Sequence, residues 1–239
     1  MFESRQGHLE TFQNTPLMTS IRTEADSAVA DRAQTFLDWT RINSKWVTTG
    51  AIVIVAAAAI YWFYQRSKQI EATNAERQLT TAKSSMQAGN MPLAQKDLQT
   101  VFSKYESTTA GVEAAMLLAQ IDYDTGKYQD GISVLDKALG SSAANGVEAT
   151  IHSLQGDGYA QMHKMADAAK AYEQAANSTS LEMERAFQLA KAARAYGDGG
   201  DTAKARAVWT AILNDKTAQS MDAEARVRLG ELTAKAVKR

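Results

Sequence analysis

The residues best suited to acid–base or metal chemistry in this 239-residue chain are three histidines, His8, His152 and His163. A helical metal site needs paired ligands on one face, as in His-x-x-x-His or Glu-x-x-His. Neither spacing occurs around any of the three. His163 also occupies a position that glycine holds elsewhere in a repeating pattern. We therefore expect no histidine metal site and no histidine catalysis.

Two glycine-rich stretches are the other candidates for chemistry. Residues 196–201 read Tyr-Gly-Asp-Gly-Gly-Asp, but they lack the ligand spacing and terminal glutamate of an EF-hand. We interpret them as a turn between helices. Gly156-Asp157-Gly158 falls within a helical pattern, so it does not match a nucleotide-binding loop, and no Gly-x-Ser-x-Gly elbow occurs. We expect no catalytic residue, cofactor or bound metal, and hence no enzyme.

Composition excludes several further classes of site. The chain contains no cysteine, which excludes disulfides, thiolate metal sites and lipid attachment at cysteine. Its net charge of −1 provides no basic field for nucleic acid. Only two prolines occur and alanine is abundant, which favours an all-helical fold.

The elements that must position any functional surface begin with an uncharged segment at residues 46–65, bracketed by Lys45 and Arg66. Twenty helical residues span about 30 Å, the thickness of a bilayer hydrocarbon core. Aromatic residues stand at both ends, as in the interfacial belts of spanning helices. We predict a transmembrane helix that remains uncleaved as a signal-anchor. The alternatives are a buried helix of a soluble core and a cleaved signal peptide.

The charges beside this segment do not fix its orientation. Three basic residues precede it closely and three follow it, so the positive-inside rule gives no preference. The residues counted are Arg32, Arg41 and Lys45 before the segment and Arg66, Lys68 and Arg77 after it.

The residues before the apolar segment, 1–45, are predicted to form an N-terminal tail with a juxtamembrane helix. Residues 1–23 lack a period and are expected to be flexible. Residues 24–44 carry an imperfect apolar stripe that includes Phe36 and Trp39. Such a helix lies on the lipid surface or makes no membrane contact, and the sequence leaves both readings open.

After residue 66 the sequence repeats with a period of 37 residues. Such self-similarity indicates stacked supersecondary units. Small residues let paired helices approach, a turn former ends the first helix, and a large apolar residue fills the groove against the next unit. The columns are a small residue in the first helix (Ala82, Ala119, Gly156, Ala193), a turn former (Gly89, Gly126, His163, Gly200), a small residue in the second helix (Ala94, Gly131, Ala168, Ala205), a large residue (Leu98, Leu135, Tyr172, Trp209) and a further apolar position (Val101, Ala138, Ala175, Ile212).

These columns resemble the tetratricopeptide repeat, most clearly in Leu118-Ala119, Gly126-Lys127-Tyr128, Leu135 and Ala138. The resemblance covers residues 75–216 and implies four helical hairpins, with a capping helix at 220–238. Since the usual period is about 34 residues, the connections between hairpins should be longer. The predicted fold is all-α: a transmembrane helix, then a tetratricopeptide-like α-solenoid over residues 66–239.

The first helices of the hairpins should line a concave inner face, where tetratricopeptide domains bind partner segments. Such a face either binds a partner or only contacts neighbouring helices. The lysine, asparagine and arginine clamp of some family members has no match here, and Met86, Met116 and Tyr123 suggest an adaptable apolar patch instead. The predicted partner-binding residues are Leu79, Lys83, Met86, Met116, Gln120, Tyr123, Asp157 and Arg194.

The order of tail, single anchor and repeat array resembles the YfgM-like family of bacterial inner-membrane proteins. That resemblance implies an ancillary subunit of the Sec translocon, with a cytoplasmic N-terminus and a periplasmic repeat domain. Its expected partners are translocon subunits, a periplasmic chaperone or an emerging substrate, and the bilayer through residues 46–65. No nucleic acid or small-molecule substrate is expected.

Two other functional classes remain open. Residues 101–128 also resemble tetratricopeptide proteins of outer-membrane assembly and of the Tol-Pal system, which would make the chain a cell-envelope assembly scaffold. The missing cysteine and the uncleaved anchor argue against that class. The third class is an enzyme or regulator with its array in the cytoplasm, and a C-terminal topology reporter distinguishes it from the other two.

Overall fold

The computed structural model describes residues 44–237, together with residues 34, 39 and 42. The described residues contain helices and connections, with no strand among them. The predicted flexible tail (1–23) and most of the predicted juxtamembrane helix (24–44) lie outside the described residues. The all-helical prediction is therefore confirmed for the described part of the chain.

The chain divides into two compact units, residues 1–65 and residues 66–239. Helix α1 contributes to both, its apolar part to the first unit and the rest to the second. The α-helices of the described residues are α1 (Ser44–Gln87), α2 (Met91–Tyr105), α3 (Thr109–Asp124), α4 (Tyr128–Leu139), α5 (Glu148–Gln161), α6 (Met165–Asn177), α7 (Glu182–Asp198), α8 (Thr202–Asn214) and α9 (Asp222–Val237).

In the second unit, helices pair as antiparallel hairpins. The first helices, hereafter the A helices, are residues 66–87 of α1, then α3, α5 and α7. The second helices, hereafter the B helices, are α2, α4, α6 and α8. Each A helix ends 37 residues after the previous one, and each B helix begins at the same interval. The period found in the sequence is thus the period of the hairpins, and the tetratricopeptide-like solenoid is confirmed.

Every turn from an A helix to a B helix has the same backbone geometry. The turn residue adopts a left-handed conformation in all four copies, with φ of 76° at Gly89, 78° at Gly126, 58° at His163 and 83° at Gly200. In each copy the next amide donates to the carbonyl five residues back, as Lys127 does to Asp122 at 2.7 Å. This is the Schellman cap, which satisfies carbonyls left free at a helix end. The predicted turn column is confirmed. Of residues 196–201, the first three end α7 and the last three form the turn.

The other four columns lie in the core. Their members are almost completely buried because they fill the space between an A helix, its B helix and the next hairpin. The largest are Leu98, Leu135, Tyr172 and Trp209, of which none exposes more than 5 % of its surface. Small residues opposite them allow this: the Tyr172 ring packs against Gly156, which has no side chain to obstruct it.

The connections between hairpins vary in length although the period does not. Three residues separate α2 from α3, whereas eight residues, including a short 3-10 helix at Ser142–Ala144, separate α4 from α5. Helices of both kinds differ in length to compensate: α4 and α5 beside the long connection have 12 and 14 residues, whereas α2 and α3 beside the short one have 15 and 16. The predicted longer connection is found between α4 and α5, whereas three and four residues separate the other hairpins.

Helix α9 covers the end of the array. It follows a 3-10 helix at Gln219–Met221 and buries Ala225 and Leu232 against the core that contains Trp209. The predicted capping helix is confirmed, with its first turn two residues later than expected. A cap of this kind is needed because the last hairpin otherwise leaves its stacking face in water.

Candidate functional site

Ion pairs at a repeated position link an A helix to the next A helix or to the capping helix α9. Lys83 of α1 pairs with Glu113 of α3 at 2.5 Å, and Arg194 of α7 pairs with Glu224 of α9 at 2.6 Å. Both pairs join residues 30 positions apart. The side chains predicted to bind a partner at these positions therefore already have partners within the chain.

The Arg194–Glu224 pair is bidentate. Arg194 Nε and Nη2 donate to the two carboxylate oxygens of Glu224, each at 2.6 Å. Hydrogen bonding to the guanidinium holds the pKa of Glu224 below its ordinary value. A guanidinium fork held in this way is a rigid connection between α7 and the capping helix.

Lys191 links three helices of the third and fourth hairpins. Its Nζ lies 2.7 Å from Asp157 Oδ1 and 2.9 Å from Ser153 Oγ, both on α5. It also lies over the Tyr172 ring on α6, 4.4 Å from the ring centroid. Burial and the hydrogen bond that Tyr172 donates to Asp157 raise the pKa of Tyr172 well above its ordinary value. Asp157 was predicted to contact a partner. Within the chain it accepts the hydrogen bond of Tyr172 and pairs with Lys191.

The apolar members of the predicted partner face are less accessible than an adaptable patch requires. Leu79 is fully buried, so it belongs to the core. Met86 and Met116 are half-buried and pack on that core. Tyr123 is also half-buried, and its hydroxyl donates to the Leu154 carbonyl at 3.1 Å.

Gln120 on α3 is the exposed member of the predicted set. The other seven predicted residues are buried, half-buried or held by partners within the chain. The structure thus places all eight on the A helices but does not gather them into one open patch. Partner binding by this face remains a prediction.

The structure describes two of the three histidines, one in a helix and one in a turn. His152 Nδ1 lies 2.9 Å from Gln155 Oε1, and Gln155 in turn donates to Asp136 at 2.6 Å. His163 is exposed at its turn. Among the residues that the structure describes, no three His, Asp or Glu side chains are placed to share a metal ion. His8 lies outside those residues.

An exposed apolar cluster at the start of α7 was not predicted. Leu181, Met183 and Phe187 lie at the start of α7 with exposed fractions of 66 %, 71 % and 46 %. With Met221 they line an open groove of about 610 Å³ beside the 3-10 helix Gln219–Met221. The repeat register carried a signal for it: the positions equivalent to Phe187 hold Glu113, Thr150 and Glu224.

Helix α1 is the candidate anchor. Among the described residues it is the one helix long and apolar enough to cross a membrane. Its apolar part is not buried in the chain, since Ile52 to Val55 each expose 61–70 % of their surface. A helix of this composition in a soluble core would be buried.

Several solved structures are similar to this chain. One is the Podosopora anserina putative kinesin light chain with nearly identical TPR-like repeats, at 16 % identity and a TM-score of 0.48, covering 70 % of this chain and 97 % of that one. MamA shows 16 % identity and a TM-score of 0.47, covering 66 % of this chain and 95 % of that one. The APC/C hetero-tetramer Cut9-Hcn1 shows 18 % identity and a TM-score of 0.46, covering 63 % of this chain and 29 % of that one.

No curated protein matches the sequence. The model of the tetratricopeptide repeat-like domain matches residues 38–152 and again residues 75–191. Together the two matches span more than half of the chain and include the A and B helices of the first three hairpins. The chain belongs to the tetratricopeptide repeat-like domain family.

Proposed function

We propose that this chain is a membrane-anchored protein–protein interaction scaffold, and that it assists protein translocation or periplasmic folding beside the Sec translocon. The observation that carries the scaffold proposal is the stack of hairpins with one conserved geometry. Repeat arrays of this kind present extended surfaces to other proteins and are non-enzymatic in general. The translocon assignment rests on the resemblance to the YfgM-like family.

The anchor is proposed from helix α1. Its uncharged residues 46–65 match the length of a bilayer core, and the described side chains among them are exposed. A tethered array keeps its partners near the membrane and so raises their local concentration without any new contact. The cytoplasmic N-terminus and periplasmic array follow from the family resemblance, since the flanking charges give no preference.

Two measurements on native membranes test this proposal. We expect the protein to remain in the pellet after alkaline carbonate extraction, because a spanning helix is removed only by detergent. We also expect a reporter that is active only outside the cytoplasm to be active when fused after Arg239. Release by carbonate would exclude the anchor, and an inactive reporter on a stably expressed fusion would exclude the periplasmic array.

The second candidate function is a cell-envelope assembly scaffold of the outer-membrane or Tol-Pal type. It predicts cleavage by signal peptidase near Tyr61 and a freely periplasmic mature chain. Mass spectrometry of the protein from membranes distinguishes the two. An intact N-terminus supports the anchored scaffold, whereas a mature chain that begins after the apolar segment supports the envelope function.

A further inference from the structure

We propose that the groove at the start of α7 is a docking site for a partner segment that carries both apolar and basic side chains. The proposal rests on the scaffold function above and names the surface and the chemistry of its occupant. The groove is lined by Leu181, Met183, Phe187 and Met221, with Glu182 and Glu184 beside them.

Three apolar side chains of the groove, Leu181, Met183 and Phe187, are exposed, whereas Met221 packs partly on the core. The second hairpin is built in the same register without these three. Where the fourth hairpin has Leu181, Met183 and Phe187, the second has Ser107, Thr109 and Glu113. A residue that the architecture does not need, and that exposes an apolar surface to water, is better explained by contact with another molecule.

The position of the groove continues the face on which the A helices meet their neighbours. Met183 and Phe187 precede Ala190 and Arg194 at spacings of four, three and four residues, so all four lie on one stripe of α7. In the equivalent stripes Glu113 and Glu224 form ion pairs with the adjacent A helix. Phe187 cannot form such a pair, and its ring is left half-exposed.

The charge around the groove selects the occupant. Glu182 and Glu184 are its only charged lining residues, and neither forms an ion pair with any residue that the structure describes. Glu184 accepts a hydrogen bond from Thr179 at 2.7 Å. Both carboxylates also lie in the first turn of α7, where the helix dipole favours them.

Two carboxylates beside an apolar surface favour a segment with Lys or Arg next to its apolar residues. They disfavour an anionic lipid surface for the same reason. A basic amphipathic segment therefore fits the groove better than the bilayer does.

The test is direct binding to the full-length chain in phosphatidylcholine nanodiscs, with empty nanodiscs as the blank. The probe is a fluorescent 14-residue helix-forming peptide of leucine and lysine, and its matched partner has glutamate in place of lysine. Fluorescence anisotropy measures both. We expect the lysine peptide to bind at least about tenfold more tightly than the glutamate peptide, with the preference falling as salt is raised.

The decisive variant replaces the three apolar residues with residues that other hairpins carry in the same register, Leu181→Ser, Met183→Thr and Phe187→Thr. These substitutions keep the fold because the array already accepts them at residues 107, 109 and 150. We expect binding to weaken at least about tenfold. The control variant, Met91→Thr with Leu93→Ser, removes exposed apolar surface from α2 and should bind as the wild type does.

Several outcomes would overturn the proposal. They are equal binding by the triple variant, equal binding of both peptides, or equal loss in the control variant. Self-association of the chain that the triple variant abolishes, without peptide binding, would assign the groove to a second copy. Photocrosslinking from position 187 to lipid alone would assign it to the bilayer. If partner capture from the A helices succeeds while these tests fail, the scaffold function stands and only the groove assignment is lost.

Discussion

Gly156 lies directly against the ring of Tyr172, so that a Cβ at position 156 would come within 2.4 Å of the ring carbon Cε1. In the other hairpins the same pair of positions holds alanine opposite a smaller or differently shaped side chain, as in Ala82 with Leu98. The third hairpin thus makes room for its ring with a glycine, whereas the fourth keeps Ala193 opposite Trp209. Close packing of the Tyr172 ring on Gly156 leaves no space for a side chain at position 156.

Gly156→Ala should destabilise the protein by about 1–3 kcal/mol, because the added methyl group overpacks the space beside Tyr172. Adding Tyr172→Leu should recover part of that loss, since the double variant restores the Ala82–Leu98 combination. Urea unfolding of the four members of the cycle gives the coupling, which we expect to be about 1 kcal/mol in favour of the double variant. Gly230→Ala in α9, where nothing lies within 4 Å of the added carbon, is the control and should not destabilise. Additive effects at positions 156 and 172 would contradict the packing account.

His163→Gly should stabilise the protein by up to about 1 kcal/mol. His163 is exposed and has a left-handed backbone with φ of 58°, which costs energy for any residue with a side chain. Glycine occupies the equivalent turn in the other three hairpins. The thermal unfolding midpoint should rise, whereas Gly126→Ala, which adds a side chain at an equivalent left-handed turn, should lower it. A fall in the midpoint of the His163→Gly variant would show that the side chain has a role that the structure does not reveal.

Gln188→Met should also stabilise the protein. Gln188 is 6 % exposed, and its Oε1 is buried without a hydrogen-bond partner. An unsatisfied buried carbonyl of this kind costs about 1–3 kcal/mol, whereas a thioether of similar length has no such requirement. The comparison variant is Gln155→Met. Because the Gln155 amide donates a hydrogen bond to Asp136, its loss should destabilise the protein. If both substitutions destabilise equally, Gln188 has a polar partner after all.

The repeat domain should lose stability in alkali between pH 10 and 12. Burial, together with the hydrogen bond from Tyr196 to Glu173, raises the pKa of Tyr196 to about 12 from an ordinary value of 10.0. An acid whose pKa is raised by folding stabilises the native state fully below the unfolded pKa, and that contribution disappears as pH rises through the folded pKa. Tyr123 and Tyr172 shift in the same direction, mainly through burial.

Tyr196→Phe isolates one part of this effect. The variant lacks the phenol that titrates, so the stability difference between wild type and variant should shrink as pH rises from 9 to 12. Urea unfolding at each pH measures it, and Tyr61→Phe in the apolar segment is the control. A difference that stays constant across this range would contradict a raised pKa at Tyr196.

The sequence predicted most of the fold because its strongest signals were local and repeated. The turn glycines, the small residues and the large apolar residues recur at one interval, and each has a single structural explanation in a stack of hairpins. His163 shows the strength of that signal, since its place in the turn column identified a left-handed residue that its chemical type would not suggest. The variable connections were less predictable, because a fixed period constrains the sum of helix and connection but not the division between them.

The site was harder to predict than the fold. Repeat register identified the A-helix residues but could not show that Leu79 is buried or that Arg194 binds Glu224, because both depend on contacts between elements far apart in sequence. The groove at Leu181, Met183 and Phe187 was missed for a related reason. Its residues differ from those at the equivalent positions of the second hairpin. A search for positions that stay similar in every hairpin does not find a position at which one hairpin differs.

We propose that the A helices of the anchored array face its protein partners, and site-specific photocrosslinking in intact membranes can decide this. A crosslinking amino acid at Gln120, exposed on α3, should capture a discrete protein. The same group at Asp136 or Lys170, exposed on the B helices α4 and α6, should capture much less. Equal capture from all three positions, or capture from Asp136 and Lys170 alone, would contradict the account.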